Sequence, residues 1–264
     1  MKALMNRKAF KKFYLFLLPV FIFLIHLPFV FAKTKPHSKH STVVVPTFVR
    51  SISNAFTNPL NFNAISKSLL YDSMKLNALG LSKQAFNCAV DGFNYLRSSG
   101  KLNNDQVISI VDFSLPSSKK RLFVIDLQNL KVLFNTYVAH GRNSGKEYAN
   151  RFSNSPESFM SSPGFYITKE TYNGEHGFSL KLEGEEKGIN DNALSRAIVI
   201  HCANYVNENE IKTRGFIGRS LGCPALPEAL SKPIIETIKG GSCFFMFSPN
   251  SKYLSHSRLL QLAS

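Results

Sequence analysis

A mainly β domain with accessory helices, an α+β arrangement preceded by a small helical module, is the fold class the sequence predicts, on three observations. Apolar residues recur at spacings of three and four between residues 62 and 97. From Gln106 the period changes to that of strands, with Val107 to Phe113, Leu122 to Leu127 and Val132 to Val138 in succession. Near the end, Ser242 to Phe247 (SCFFMF) is a continuous apolar run of the kind that makes a buried strand. The apolar fraction of 44% across 264 residues supports a real core, and one medium domain plus appendages is the expected content.

The chain begins with a basic segment. Lys2, Arg7, Lys8, Lys11 and Lys12 stand without an acid among them, and Phe13 to Phe31 is almost wholly apolar. Val30-Phe31-Ala32 then offers a small-residue cleavage site before Lys33. Residues 1–32 read as a secretory signal peptide. The apolar run is also long enough to span a bilayer, so an uncleaved anchor is the other reading. Pro19, His26 and Pro28 weaken a spanning helix. Either way the remainder is expected to be exported. Residues 33–60 are rich in Ser, Thr, Pro and Lys and keep no period, which reads as a flexible linker.

A helical module is expected over 61–104. Its first helix, Phe62 to Leu79, carries Ile65, Leu69, Leu70, Met74 and Leu79. Ser82 is a natural N-cap for a second helix through Arg97, whose apolar face is Ala85, Phe86, Ala89, Val90, Phe93 and Leu96. Residues 105–250 form the β domain, with two packed or partly closed sheets expected. Within it, Val138 to Gly145 leaves the third strand as a polar, Gly-containing loop, and Phe165 to Thr168 is a strand. Glu170 to Asn192 is expected to be a long lid or binding loop. Ser231 is expected to cap a short helix with Pro233 in its first turn, and residues 251–264 to form a polar tail.

The formal net charge is +15, and removal of residues 1–32 lowers it to +10. A basic exported protein suits an anionic cell wall or membrane surface. Nucleic acid is the other partner such charge permits, but the compartment argues against it and no arginine-rich helix or aromatic-basic motif is present. The basic residues are scattered, as on a generally solvated surface. Export permits disulfides, yet the four cysteines, Cys88, Cys202, Cys223 and Cys243, predict no disulfide network if Cys223 is to remain a thiol. His201, Cys202 and Cys223 suggest a metal only weakly, because no CxxC or HxxxH pair fixes a four-ligand shell. No metal or organic cofactor is expected.

The chemistry concentrates in Arg196 to Pro227, RAIVIHCANYVNENEIKTRGFIGRSLGCPALP. An apolar run, Ala197 to Ile200, ends on His201. Twenty-two positions later Cys223 stands between Gly222 and Pro224, with Ser220 before it. A histidine at a strand end and a cysteine on a Gly/Pro-bounded turn suit a thiol nucleophile with its base. Tight turns of this kind also aim backbone N–H groups at one point, as an oxyanion requires. A small buried cysteine and a structurally satisfied histidine fit the same spacing.

The segment resembles the active site of the murein L,D-transpeptidase catalytic domain (YkuD-like) family, in which a histidine precedes a Ser-x-Gly-Cys turn. The matching stretches are His201-Cys202-Ala203-Asn204-Tyr205-Val206 and Gly218-Arg219-Ser220-Leu221-Gly222-Cys223-Pro224-Ala225. Leu79-Gly80-Leu81-Ser82, Asp112-Phe113-Ser114, Val124-Ile125-Asp126-Leu127, Phe152-Ser153-Asn154-Ser155-Pro156 and Ser161-Ser162-Pro163-Gly164 extend the similarity over about residues 75 to 248. The resemblance implies a β-sandwich-like catalytic domain acting on peptidoglycan stem peptides in the periplasm or cell envelope of a bacterium. It implies acyl transfer through a Cys223 thioester, with His201 as base and then acid, and with Ser220 and Gly222 shaping the oxyanion turn. Arg219, whose guanidinium suits carboxylates, is a candidate substrate contact, as are Tyr172, His176 (in Gly174-Glu175-His176-Gly177) and His140. His140 and His176 are also readable as loop-pinning groups, the reading favoured for His140. Three positions depart from the broad family pattern. Leu221 replaces a histidine, Ala225 an arginine or asparagine, and Cys202 a glycine. The same pair with water as acceptor would make a murein peptidase or carboxypeptidase. A non-enzymatic wall-binding protein is the reading from another class.

Overall fold

The structure, a computed structural model, describes residues 64–263. The signal segment and linker expected from the sequence lie outside the described residues. Two helices come first, α1 (Ala64–Ser73) and α2 (Lys83–Ser98). The strands are β1 (Val107–Asp112), β2 (Leu122–Asp126), β3 (Lys131–Thr136), β4 (Gly164–Gly174), β5 (Gly177–Gly184), β6 (Val199–Cys202), β7 (Ala225–Leu226) and β8 (Cys243–Phe247). Helix α3 (Glu208–Arg214) lies between β6 and β7, and α4 (Glu228–Ile238) between β7 and β8. Helices α5 (Ser251–His256) and α6 (Arg258–Ala263) follow β8.

The eight strands form one sheet in the order β3-β2-β1-β8-β4-β5-β6-β7. Pairings β1/β8 and β6/β7 are parallel, and the others are antiparallel. Past β3, the Ala139 N–H donates to Ala225 O of β7 at 2.9 Å, and Gly141 bridges Ser220. Chain leaving one edge strand thus meets the other edge, and the sheet curls into a partial barrel. This is the mainly β, partly closed arrangement the periodicity predicts, built from one sheet.

Strand alternation divides the apolar residues between two cores. Ile108, Ile110, Phe123, Ile125, Phe245 and Phe247 face α2. Val111, Leu122, Val124, Leu180, Leu182, Phe244 and Met246 face the other way, where Ile234, Ile235 and Ile238 of α4 fill the interior. All six predicted apolar residues of α2 are buried. At about 1.5–3 kcal/mol for each large side chain, that face is a principal contributor to the fold. Ser82 caps α2 by accepting the Ala85 N–H at 3.2 Å, and its own N–H donates to Asp112 Oδ2 at 2.9 Å. The helical module therefore shares its core with the sheet.

Four expectations are corrected. The first helix stops at Ser73, where Lys75 adopts φ 52, and Leu69 and Leu79 are exposed. Glu170 to Gly184 is strand rather than lid: β4 and β5 form a hairpin whose two-residue turn is Glu175-His176. Its glycines suggest a loop, but Leu180 and Leu182 alternate inward. Helix α4 starts at Glu228, and Ser231 is buried within it rather than capping it. The tail is helical. Asn250 caps α5 through the Lys252 N–H, and Tyr253 and Leu259 join the α2 core. Tyr253 also donates to buried Glu186 at 3.2 Å, and Ser257 donates to the same carboxyl group.

Candidate active site

His201 and Cys223 are delivered by the parallel pair β6/β7. His201 is in register with Ala225, two residues beyond Cys223. Before β6 the chain turns through Ala197, an alanine at φ 52, a region that alanine seldom occupies. That turn aims the Ala197 carbonyl at the thiol. Sγ of Cys223 lies 3.7 Å from Ala197 O and receives the Val199 N–H at 3.4 Å. Burial pushes the Cys223 thiol above its ordinary value, while the Val199 N–H and the Arg196 charge act the other way. The resting sulfur is therefore protonated near neutral pH. Among the described residues its hydrogen bonds are to β6 and the turn before it, and none is to His201.

The His201 ring is oriented by its own strand. Nδ1 lies 2.8 Å from Cys202 O. A carbonyl only accepts, so Nδ1 carries the proton and Nε2 keeps its lone pair. Burial lowers the His201 pKa, and nearby His176 lowers it further, which keeps the imidazole neutral and basic at pH 7. The His176 ring, from the tip of the β4–β5 hairpin, stacks on His201 with centroids 4.5 Å apart. His176 O accepts the Cys202 thiol at 3.2 Å, which ties the hairpin tip to β6.

The cysteine turn is locked from within. Ser220 Oγ accepts the Gly222 N–H at 3.1 Å and donates to Cys223 O at 2.6 Å. The Gly222 N–H is thus already engaged, whereas no hydrogen bond to the Cys223 N–H occurs among the described residues. Gly222 sits at φ 131, and a Cβ there would lie 3.0 Å from Met160 O, so the turn requires glycine. Ser161 ties the turn to its neighbour, accepting the Gly141 N–H and donating to Gly222 O, both at 3.0 Å. The Tyr205 ring packs where a Gly218 Cβ would stand, and burial pushes its phenol up to about 12.

The other sequence candidates are placed differently. His140 is fully buried. Its Nδ1 accepts from Arg121 Nη2 at 2.7 Å, and Nε2 lies 3.4 Å from Gly145 O. Burial and the Arg121 charge drive its pKa down to about 3, and both nitrogens serve the loop. Arg219 donates to Arg142 O at 3.1 Å and Gly145 O at 3.0 Å, which staples the same loop. Tyr172 is exposed on the outer arm of β4, with Lys181 Nζ 5.8 Å from its ring centroid. Sequence reasoning missed Arg196, Ser161 and the Val199 N–H. The only trace of Arg196 was its place just ahead of the apolar run. All four cysteines are free thiols.

No curated protein sequence matches the chain. Among solved structures, an L,D-transpeptidase from Mycobacterium smegmatis is similar at 11% identity and a TM-score of 0.34, over 54% of this chain and 59% of that one. L,D-transpeptidase 3 from Mycobacterium tuberculosis, in complex with a faropenem-derived adduct, gives 10% identity and a TM-score of 0.36, over 54% and 60%. A mutant of the helical cell shape determining protein Pgp2 from Campylobacter jejuni gives 13% and 0.38, over 66% and 60%. The chain thus spans about six tenths of the length of these structures. A family model described as the L,D-transpeptidase catalytic domain matches residues 77–247. The protein belongs to the L,D-transpeptidase catalytic domain family.

Proposed function

We propose that the protein is an exported cysteine acyltransferase that forms L,D-crosslinks between peptidoglycan stem peptides through a Cys223 thioester. The observation that carries this reading is the His201 tautomer. With Nδ1 bound to Cys202 O, Nε2 is left as a base on the strand beside the cysteine turn. Family membership supports the substrate class. The basic amino-terminal segment supports export, and among the described residues no helix is long and apolar enough to cross a membrane.

In the reaction, Cys223 rotates from the Val199 N–H and Ala197 O toward His201. Nε2 takes the thiol proton as Sγ bonds to the carbonyl carbon preceding the terminal D-residue of a donor stem. The Cys223 N–H donates to the oxyanion. The carbon–nitrogen bond then breaks, and His201 returns the proton to the departing amine. An acceptor amine from a second stem attacks the thioester, loses a proton to His201 and expels the thiolate, which takes that proton back from His201 and restores the resting thiol. The resting pair is neutral, so activation is general-base chemistry rather than a standing thiolate–imidazolium pair.

The test is incubation of the full chain with murein tetrapeptide fragments, beside Cys223→Ala, read by mass spectrometry. A crosslinked dimer lacking one terminal D-residue, absent with the variant, is expected. Shortened monomers alone would make the protein a murein peptidase. Unchanged fragments with sacculi still bound would make it a wall-binding protein.

A further inference from the structure

Arg196 is the charged group that the mechanism above leaves unused. Its guanidinium is half-buried and carries four hydrogen bonds, all to neutral acceptors. Nη1 donates to Ser153 O at 2.9 Å and Ser162 Oγ at 2.6 Å. Nη2 donates to Met160 O at 2.7 Å and Ser158 Oγ at 3.2 Å. Among the described residues no carboxylate forms an ion pair with it. Nη2 also lies 3.4 Å from where a Gly222 Cβ would be, so the charge abuts the residue before the nucleophile. A cation withdrawn from water without a counter-ion costs free energy, and its placement beside a thiol that must become anionic gives that cost a use.

We propose that Arg196 is a positioning residue for Cys223, clamping the 153–162 segment against the cysteine turn and presenting a fixed positive charge toward the sulfur. The four neutral acceptors hold the guanidinium in place without cancelling its charge. The sulfur, once its proton leaves, is an anion that this charge can stabilise. The other titratable groups facing the thiol are His201, on the paired strand, and Tyr205, whose ring packs on the turn. Tyr166 also faces the Arg196 charge. Neither phenol is anionic below pH 10, because burial raises both. The guanidinium is therefore the one permanent charge of the set.

The inference rests on Cys223 being the nucleophile, but its test needs no crosslinking activity. Iodoacetamide is reacted with the full chain from pH 6 to pH 10, and the Cys223 peptide is quantified by mass spectrometry. In this reaction a sulfur–carbon bond forms from the thiolate, the carbon–iodine bond breaks and iodide leaves. Arg196→Gln is expected to raise the thiol midpoint by about one unit, a loss of about tenfold in rate at pH 8. Arg196→Lys, which keeps the charge and loses the forked bonds, is expected to stay within about threefold of the parent rate. Arg196→Met substitutes if Arg196→Gln does not melt cooperatively. A neutral variant whose profile superimposes on the parent overturns the proposal. Equal losses in the Lys and neutral variants also overturn it, since they leave only the clamp. If crosslinking fails while the alkylation profile shifts as expected, the transpeptidase reading falls and the role of Arg196 stands.

Discussion

Protonation of His140 should set how steeply this protein loses stability in mild acid. The ring is fully buried and accepts a hydrogen bond from Arg121 Nη2, so a proton on Nδ1 would break that bond and place two cations in contact. Its folded pKa is about 3, against an ordinary value of 6.5. A histidine whose pKa is lowered by folding binds its proton first in the unfolded chain. Its contribution is therefore complete above pH 6.5 and is lost as pH falls toward 3. The slope is about 1.4 kcal/mol per pH unit, and the total over the window is roughly 5 kcal/mol. Between pH 7.5 and pH 5, before most carboxylates titrate, the loss is about 2 kcal/mol. His140→Gln can accept from Arg121 and donate to Gly145 O without titrating. Urea unfolding of both proteins at pH 7.5, 6 and 5 should show the stability difference, parent minus variant, shrinking by about 2 kcal/mol toward acid. Arg121, pushed down by burial only to about 9, stays cationic throughout. A difference that does not change with pH would refute the argument and remove His140 as the acid-sensitive pin of the 140–145 loop.

Other outcomes follow from packing and from the stacked imidazoles. A Cβ on Gly92 of α2 would lie 2.1 Å from the Phe165 ring, which is itself stacked on Phe245 at 4.1 Å. Gly92→Ala is therefore expected to destabilise by about 1–3 kcal/mol through overpacking, despite alanine's better helix propensity, and a raised melting temperature would contradict this. Leu259→Ala should cost about 2–3 kcal/mol by cavity formation under α2; a polar, unpacked tail would show no change in urea midpoint. His176→Ala removes the ring stacked on His201, and with it part of the burial and the neighbouring group that hold the His201 pKa down. NMR titration should then find the His201 pKa raised toward 6.5, and an unchanged value would sever the link between the hairpin tip and His201.

Local chemistry made much of this legible in the sequence. The α2 face, the Ser82 cap and the first three strands follow from period and capping, which depend on near neighbours. The β4–β5 hairpin was obscured because its glycines and charges resemble a loop, and only pairing with β8 and β6 makes it sheet. The carboxy-terminal helices were missed because each is only six residues long. Their support is tertiary, through Tyr253, Leu259 and the buried Glu186. In the candidate site, residue types and the Gly-Cys-Pro turn are what single out Cys223 and His201 in the sequence. Arg196 and Ser161 reach the turn from segments 27 and 62 residues before the cysteine, and no spacing rule connects them. His140 and Arg219 carry groups suited to ligands, yet the fold spends both on backbone carbonyls and a buried arginine.

The most direct test of the central claim is the covalent intermediate itself. The full chain is mixed with a tetrapeptide donor in the absence of an acceptor amine, quenched in acid and digested for mass spectrometry. The account predicts an acyl adduct on the Cys223 peptide equal in mass to the donor less its terminal D-residue, and neither His201→Ala nor Cys223→Ala should accumulate it. Crosslinked product formed without an adduct on Cys223, or an adduct on Cys202 instead, would contradict it.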